Sequence, residues 1–256
     1  MASPARRHRE RTTAASRTAA GPATRADATQ YELMLAKLAE DRRRLHAAQS
    51  IERRAEIKRL LLPEYGPWIA GVLDGDHGIQ DDVFMTVLVW LIDVGDFPAA
   101  LQLAAYALRH KLTLPDQYKR TLGCLLAEEF AEMALRAQVA QAPMDTESLI
   151  TLSELVALED MPDEVRAKLH KAIGYAMIQG KPGEQEQNSA LVHLRRALQL
   201  HDKCGVKRDI ELIERAMRKA QEPPKAEQPP LEAQQSKPKA AKKPPKAKQD
   251  SAGTAG

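Results

Sequence analysis

The chain is expected to be all-α, built from antiparallel helical hairpins behind a long N-terminal helix, with a disordered basic segment at each end. Three observations carry this. Apolar residues make up 43% of the 256 positions but aromatics only 4%, so the apolar set is mostly Ala and Leu, which favour helix over strand. Those residues recur at helical spacing between short Gly, Pro and Asp breaks. The formal charge of +3 also hides three unlike blocks: +4 over residues 1–29, −4 over 30–221 and +3 over 222–256. A mildly acidic body with cationic ends suggests a protein that handles a polyanion or assembles around one.

Residues 1–29 hold Arg6, Arg7, Arg9, Arg11, Arg17 and Arg25 against Glu10 and Asp27. They show no apolar periodicity and carry the breaker Gly21-Pro22, so the segment is expected to be a disordered Arg-rich arm. Residues 30–63 follow as one long charged amphipathic helix. Tyr31, Met34, Leu35, Leu38, Leu45, Ala48, Ile51, Ala55 and Leu60 keep a stripe that Pro63 is expected to end. Its other face carries Arg42-Arg43-Arg44, Arg53-Arg54 and Lys58-Arg59 among Asp41, Glu52 and Glu56. That pattern suits a solvated helix and an oligomerising coiled coil alike.

Residues 64–221 are expected to form the helical-hairpin domain. Pro67 suits the first turn of a short helix with Trp68, Ile69, Val72 and Leu73, closed by Gly75. Asp81 and Asp82 sit at the start of the apolar run Val83–Val94, where carboxylates complement the helix dipole. Gly95-Asp96 then turns into Phe97–Lys111, which makes an antiparallel pair. Further helices are expected at Leu122–Gln141, Thr146–Leu158, Pro162–Gln179, Glu186–His201 and Val206–Ala220. Trp90, Gly95 and Phe97 have the spacing of a tetratricopeptide repeat, yet the small residue wanted sixteen positions after Trp90 is Tyr106, so the likeness is local. Residues 222–256 alternate seven prolines and seven lysines and read as a disordered tail.

The longest apolar run, Val83–Ile92, is roughly half of a membrane span and reads as a core helix. No secretory signal precedes the body. Cys124 and Cys204 lie far apart with no zinc-ligand partner, as in a reduced cytosolic protein.

For chemistry, the strongest signal is the front arm, because Arg6, Arg7, Arg9, Arg11 and Arg17 on a flexible segment can settle on phosphates or enter a groove; a solubilising tail is the alternative. The lysine-proline tail suits DNA or a partner protein equally. Asp81 and Asp82 are the weak catalytic candidates, since two-metal hydrolysis of DNA needs clustered carboxylates; acid at a helix start explains them without catalysis. The Pro115-Asp116 and Pro162-Asp163 steps resemble the opening of a nuclease signature, but the strands and downstream Glu-x-Lys are lacking, and Glu56-Ile57-Lys58 lies upstream. No set of metal ligands stands out, the seven histidines form no catalytic pattern, and no Walker loop is present. If ATP drives the process, a partner subunit binds it.

Longer blocks bring a family into view. Ser3-Pro4-Ala5 with Arg7-His8 and Arg11, Tyr31-Glu32 with Met34-Leu35, and Leu61-Leu62-Pro63 with Pro67-Trp68 are three of them. Gln80-Asp81-Asp82 with Met85-Thr86-Val87, Trp90 with Gly95-Asp96, Ala100-Leu101 with Tyr106-Ala107-Leu108, and Met161 through Lys171 are others. In this order they resemble the M-type terminase subunit of temperate tailed bacteriophages, described as the small or endonuclease subunit, over about Ser3 to Ala220. The resemblance implies a genome-packaging component that binds double-stranded DNA at the cohesive-end site of concatemers. It further implies a large ATPase subunit as partner, a homo-oligomer, the bacterial host cytoplasm and no membrane. It also implies an endonuclease, which would need magnesium, although no catalytic residue set is carried over. The alternative is a helical-repeat scaffold whose ends dock proteins and which never contacts DNA.

Overall fold

Ser3 and Pro4 start a helix where an unstructured arm was expected. In the computed structural model, which describes residues 3–17, 25–115 and 119–221, Pro4–Arg17 is α1. Proline suits a first turn, and the Ser3 hydroxyl accepts from the Arg6 N–H at 3.3 Å. Glu10 and Ala14 are buried because α1 lies along a later helix with a glycine beneath it. The expectation failed because this contact surface is made of small residues, which leave no apolar stripe. Residues 222–256, expected to be a disordered tail, lie outside the described residues.

The long helix also departs from expectation. It is two helices, α2 (Arg25–Ala47) and α3 (Ile51–Gly75), parted at Ala48–Ser50. Ser50 caps α3 by accepting from the Arg53 N–H at 3.0 Å. Pro63 does not end α3, and Pro67 does not start a new helix; both lie inside it. The carbonyls they free belong to Arg59 and Pro63, both exposed, where water takes the lost bond. The buried face, Leu61, Tyr65, Trp68, Ile69 and Val72, is untouched. The break also rotates the stripe, so Ile51 and Leu60 face solvent.

Buried polar groups tie these two helices together. Asp41 of α2 accepts from the Tyr65 hydroxyl at 2.7 Å and from Lys37 at 2.6 Å. Tyr31 stacks on Trp68 at 6.0 Å. Asp76 ends α3 in the left-handed region at φ 48 and pairs with Arg109 and His110.

Helix α4 (Asp82–Val94) is the centre of the molecule: every residue from Val83 to Ile92 is buried, as the apolar run foretold. Gly95, at φ 79, closes it, and Asp96 caps α5 (Phe97–Arg109), giving the expected hairpin. Tyr106, where a tetratricopeptide unit wants a small residue, is buried against Phe84 at 5.1 Å.

Next come α6 (Leu122–Val139), α7 (Thr146–Leu155), α8 (Asp163–Met177), α9 (Glu184–Leu200) and α10 (Lys207–Gln221). Helix α8 packs on both α6 and α9, its Gly174 letting Leu194 approach. One core runs from α1 to α8. A second joins Tyr175, Leu191, Leu194, Val206 and Ile210. Among the described residues there is no strand, and no helix is long and apolar enough to cross a membrane. Cys124 and Cys204 are free thiols.

Candidate nucleic-acid interface

The front-arm arginines are placed by α1 rather than left loose. Arg6 donates from Nε to buried Glu10 at 2.8 Å. Arg11 makes a two-bond ion pair with Asp74 of α3. Arg7 and Arg9 are exposed and have no ion-pair partner among the described residues, while the Arg17 side chain lies outside them. A flexible five-arginine arm is therefore replaced by a docked helix on which two cations already face carboxylates.

A second cationic surface, whose charge pattern suits a solvated helix and a coiled coil alike, is assembled by the α2–α3 elbow. Residues 42–59 carry Arg42, Arg43, Arg44, Arg53, Arg54, Lys58 and Arg59 against Glu52 and Glu56, or +5 within a body that sums to −4. Arg42 donates to the Thr86 hydroxyl of α4 at 2.7 Å. Arg54 donates from Nε across the elbow to the Ala48 carbonyl at 2.8 Å. Lys58 reaches Asp93 at the end of α4. Arg42, His46, Arg54 and Lys58 line one open cleft of about 240 Å³ with Leu45 and Trp90 beneath. Arg43, Arg44 and Arg53 are screened locally by Glu40, Asp41 and Glu56, while exposed Arg59 donates to the Val94 carbonyl at 3.3 Å outside this cleft.

The signal that could have revealed this site was the polar break Gln49-Ser50. A serine followed by Glu52 and a new apolar register marks a helix start. Folding the chain there turns a linear run of cations into a concave one.

The acidic candidates sit differently. Asp81 is 4% exposed; its Oδ1 accepts from the Val83 and Phe84 N–H groups at 2.9 Å, and its Oδ2 from Trp68 Nε1 at 3.0 Å. It is the N-cap of α4, and its oxygens are committed to that end. Asp82 is exposed in the first turn, with its N–H donating to the Tyr31 hydroxyl at 3.3 Å. Pro162 and Asp163 begin α8, while Asp116 lies outside the described residues. Glu56 and Lys58 are spent on Arg53 and Asp93. Among the described residues no three His, Cys, Asp or Glu side chains gather as a metal site, so these residues do not fit the magnesium that DNA cutting would require.

Two histidines are not surface groups. His170 of α8 and His193 of α9 meet through Nδ1 atoms 3.0 Å apart. Burial, with the neighbouring His193, pulls His170 down to about 4, and burial lowers His193 as well. Arg166 and Arg196 add to the effect on His170.

Comparisons with known proteins agree along the chain. The model of the phage small terminase subunit family matches residues 35–164. The terminase, endonuclease subunit of Escherichia phage P2 is 46% identical over 227 residues, covering 88% of this chain and 90% of that protein. The probable terminase, endonuclease subunit of Haemophilus phage HP1 is 24% identical over 191 residues, covering 71% of this chain and 68% of that protein. No solved structure matches.

Proposed function

This chain belongs to the phage small terminase subunit family, and from that premise we propose that it is the DNA-recognising subunit of a genome-packaging terminase. It binds the cohesive-end packaging site of concatemeric double-stranded phage DNA in the bacterial host cytoplasm. A large ATPase subunit supplies nucleotide hydrolysis, and several copies of this chain act together. The supporting observation is similarity to a named terminase subunit over nearly the whole length of both proteins, together with a strongly basic surface on an otherwise acidic helical body.

The relatives carry the word endonuclease in their names. For this chain, recognition is the proposed task and cutting is assigned to the assembled holoenzyme. Asp81 caps a helix, and the described residues gather no metal-ligand cluster. On α1, Arg7 and Arg9 are auxiliary DNA contacts; Arg6 and Arg11 join them only by exchanging a carboxylate for a phosphate.

Filter binding of a cohesive-end fragment at several salt concentrations tests the reading. Retention that weakens steeply with salt is expected. Absence of binding at low salt would favour the protein-docking scaffold instead. Incubation of the purified chain with DNA and magnesium tests the division of labour: the DNA stays intact if cutting belongs to the holoenzyme, and cleavage by this chain alone overturns that part.

A further inference from the structure

We infer that the α2–α3 elbow grips the phosphate backbone of duplex DNA, with Arg42 and Arg54 as the gripping groups. This rests on the packaging reading and adds to it the location and chemistry of the contact.

The decisive feature is what holds each arginine. A guanidinium tied to a carboxylate has spent its charge, and a phosphate must displace that partner. Arg42 and Arg54 are tied to a hydroxyl and a carbonyl, Thr86 and Ala48. Each is fixed in direction yet keeps its full charge, with further N–H donors available for an anion. Fixing the side chain beforehand also lowers the ordering cost of binding. The α1 arginines Arg6 and Arg11 show the opposite arrangement, each on an acid.

Shape selects the backbone rather than the bases. Trp90 forms part of the cleft floor but is only 5% exposed, so it offers no face on which an extruded base could stack, as single-strand binders require. Rows of phosphates along a duplex suit an open basic cleft between two helices. Such contacts position DNA without reading its sequence.

The test uses the full chain and a labelled duplex titrated at a series of salt concentrations. Arg42→Gln combined with Arg54→Gln is expected to lower the slope of log affinity against log salt by about 2 units. The loss should be equal on a cohesive-end fragment and on a scrambled duplex. Arg7→Gln combined with Arg9→Gln is expected to change it by less. If Arg42→Gln impairs folding, Arg54 decides alone, because its side chain is exposed; Arg54→Glu should then weaken binding more than Arg54→Gln does. A wild-type slope in the elbow variants, or a larger loss in the α1 pair, overturns the elbow and leaves the packaging reading standing. A wild-type chain that binds no duplex at low salt overturns both.

Discussion

Gly71 of α3 lies so close to Ala14 of α1 that a Cβ on the glycine would stand 2.7 Å from the Ala14 methyl and 2.2 Å from the Arg11 carbonyl oxygen. The front of the chain is thereby keyed into α3 by the absence of one side chain. Gly71→Ala separates two effects of opposite sign. In an isolated helix alanine is better than glycine by about 1 kcal/mol. Overpacking against a backbone carbonyl instead costs about 1–3 kcal/mol. A lower melting temperature and faster tryptic cleavage at Arg7 and Arg9 are expected; a higher melting temperature with unchanged cleavage would show that α1 is not docked.

Asp81 carries two loads, and substitutions divide them. Asp81→Ala loses the cap of α4 and strands the buried Trp68 N–H, at a cost of about 2–4 kcal/mol in thermal or denaturant unfolding. Asp81→Asn remains a good cap but meets the Trp68 N–H poorly, so its loss is smaller. DNA binding and processing by the assembled terminase should survive Asp81→Asn wherever the protein is folded. Abolished cleavage with unchanged stability and binding would instead mark Asp81 as catalytic.

Tyr65→Phe leaves Asp41 buried with Lys37 and Arg44 as its remaining partners. A loss of about 1–2 kcal/mol is expected from denaturant unfolding. Burial, followed by the Asp41 bond, pushes the Tyr65 hydroxyl far above its ordinary range, and burial also raises Tyr106 and Tyr175. In an alkaline absorbance titration Tyr65 and Tyr175 should ionise only as the protein unfolds.

The His170–His193 contact gives stability an acid limit. Burial lowers both rings in the folded state, so the unfolded chain binds protons that the folded one does not. The contribution is intact above about 6.5 and declines toward about 4, where His170 itself titrates when folded. After solvent screening of half-buried rings, about 1–2 kcal/mol is expected to vanish over that window. His170→Gln should flatten the slope of stability against pH there; an unchanged slope would remove His170 as its source.

Much of this architecture is legible in the residues alone. Val83–Ile92 is apolar on all sides, and it is the buried centre. Gly95-Asp96 reads as a turn because glycine accepts φ 79 while aspartate caps the next helix. What escaped reading depends on contacts between distant segments. Pro63 looks like a helix end and Pro67 like a helix start, but their cost falls on exposed carbonyls and α3 continues. The opening residues look unstructured because Ala14 needs Gly71, far along the chain, to become a contact. The elbow cations suit a solvated helix or a coiled coil until Thr86 and Ala48 show which two arginines of the cleft keep their charge.

Helix α3 also sets a distance. Gly71 near its C-terminal end seats α1, and Arg54 near its first turn faces the elbow cleft. Seventeen residues separate them, which is about 25 Å at the rise of an α-helix. That is about seven phosphate steps along one DNA strand. Because α3 passes both prolines without ending, its length acts as a ruler between the two basic elements. Inserting or deleting helical residues between them would change their spacing and, by 100° per residue, their relative facing.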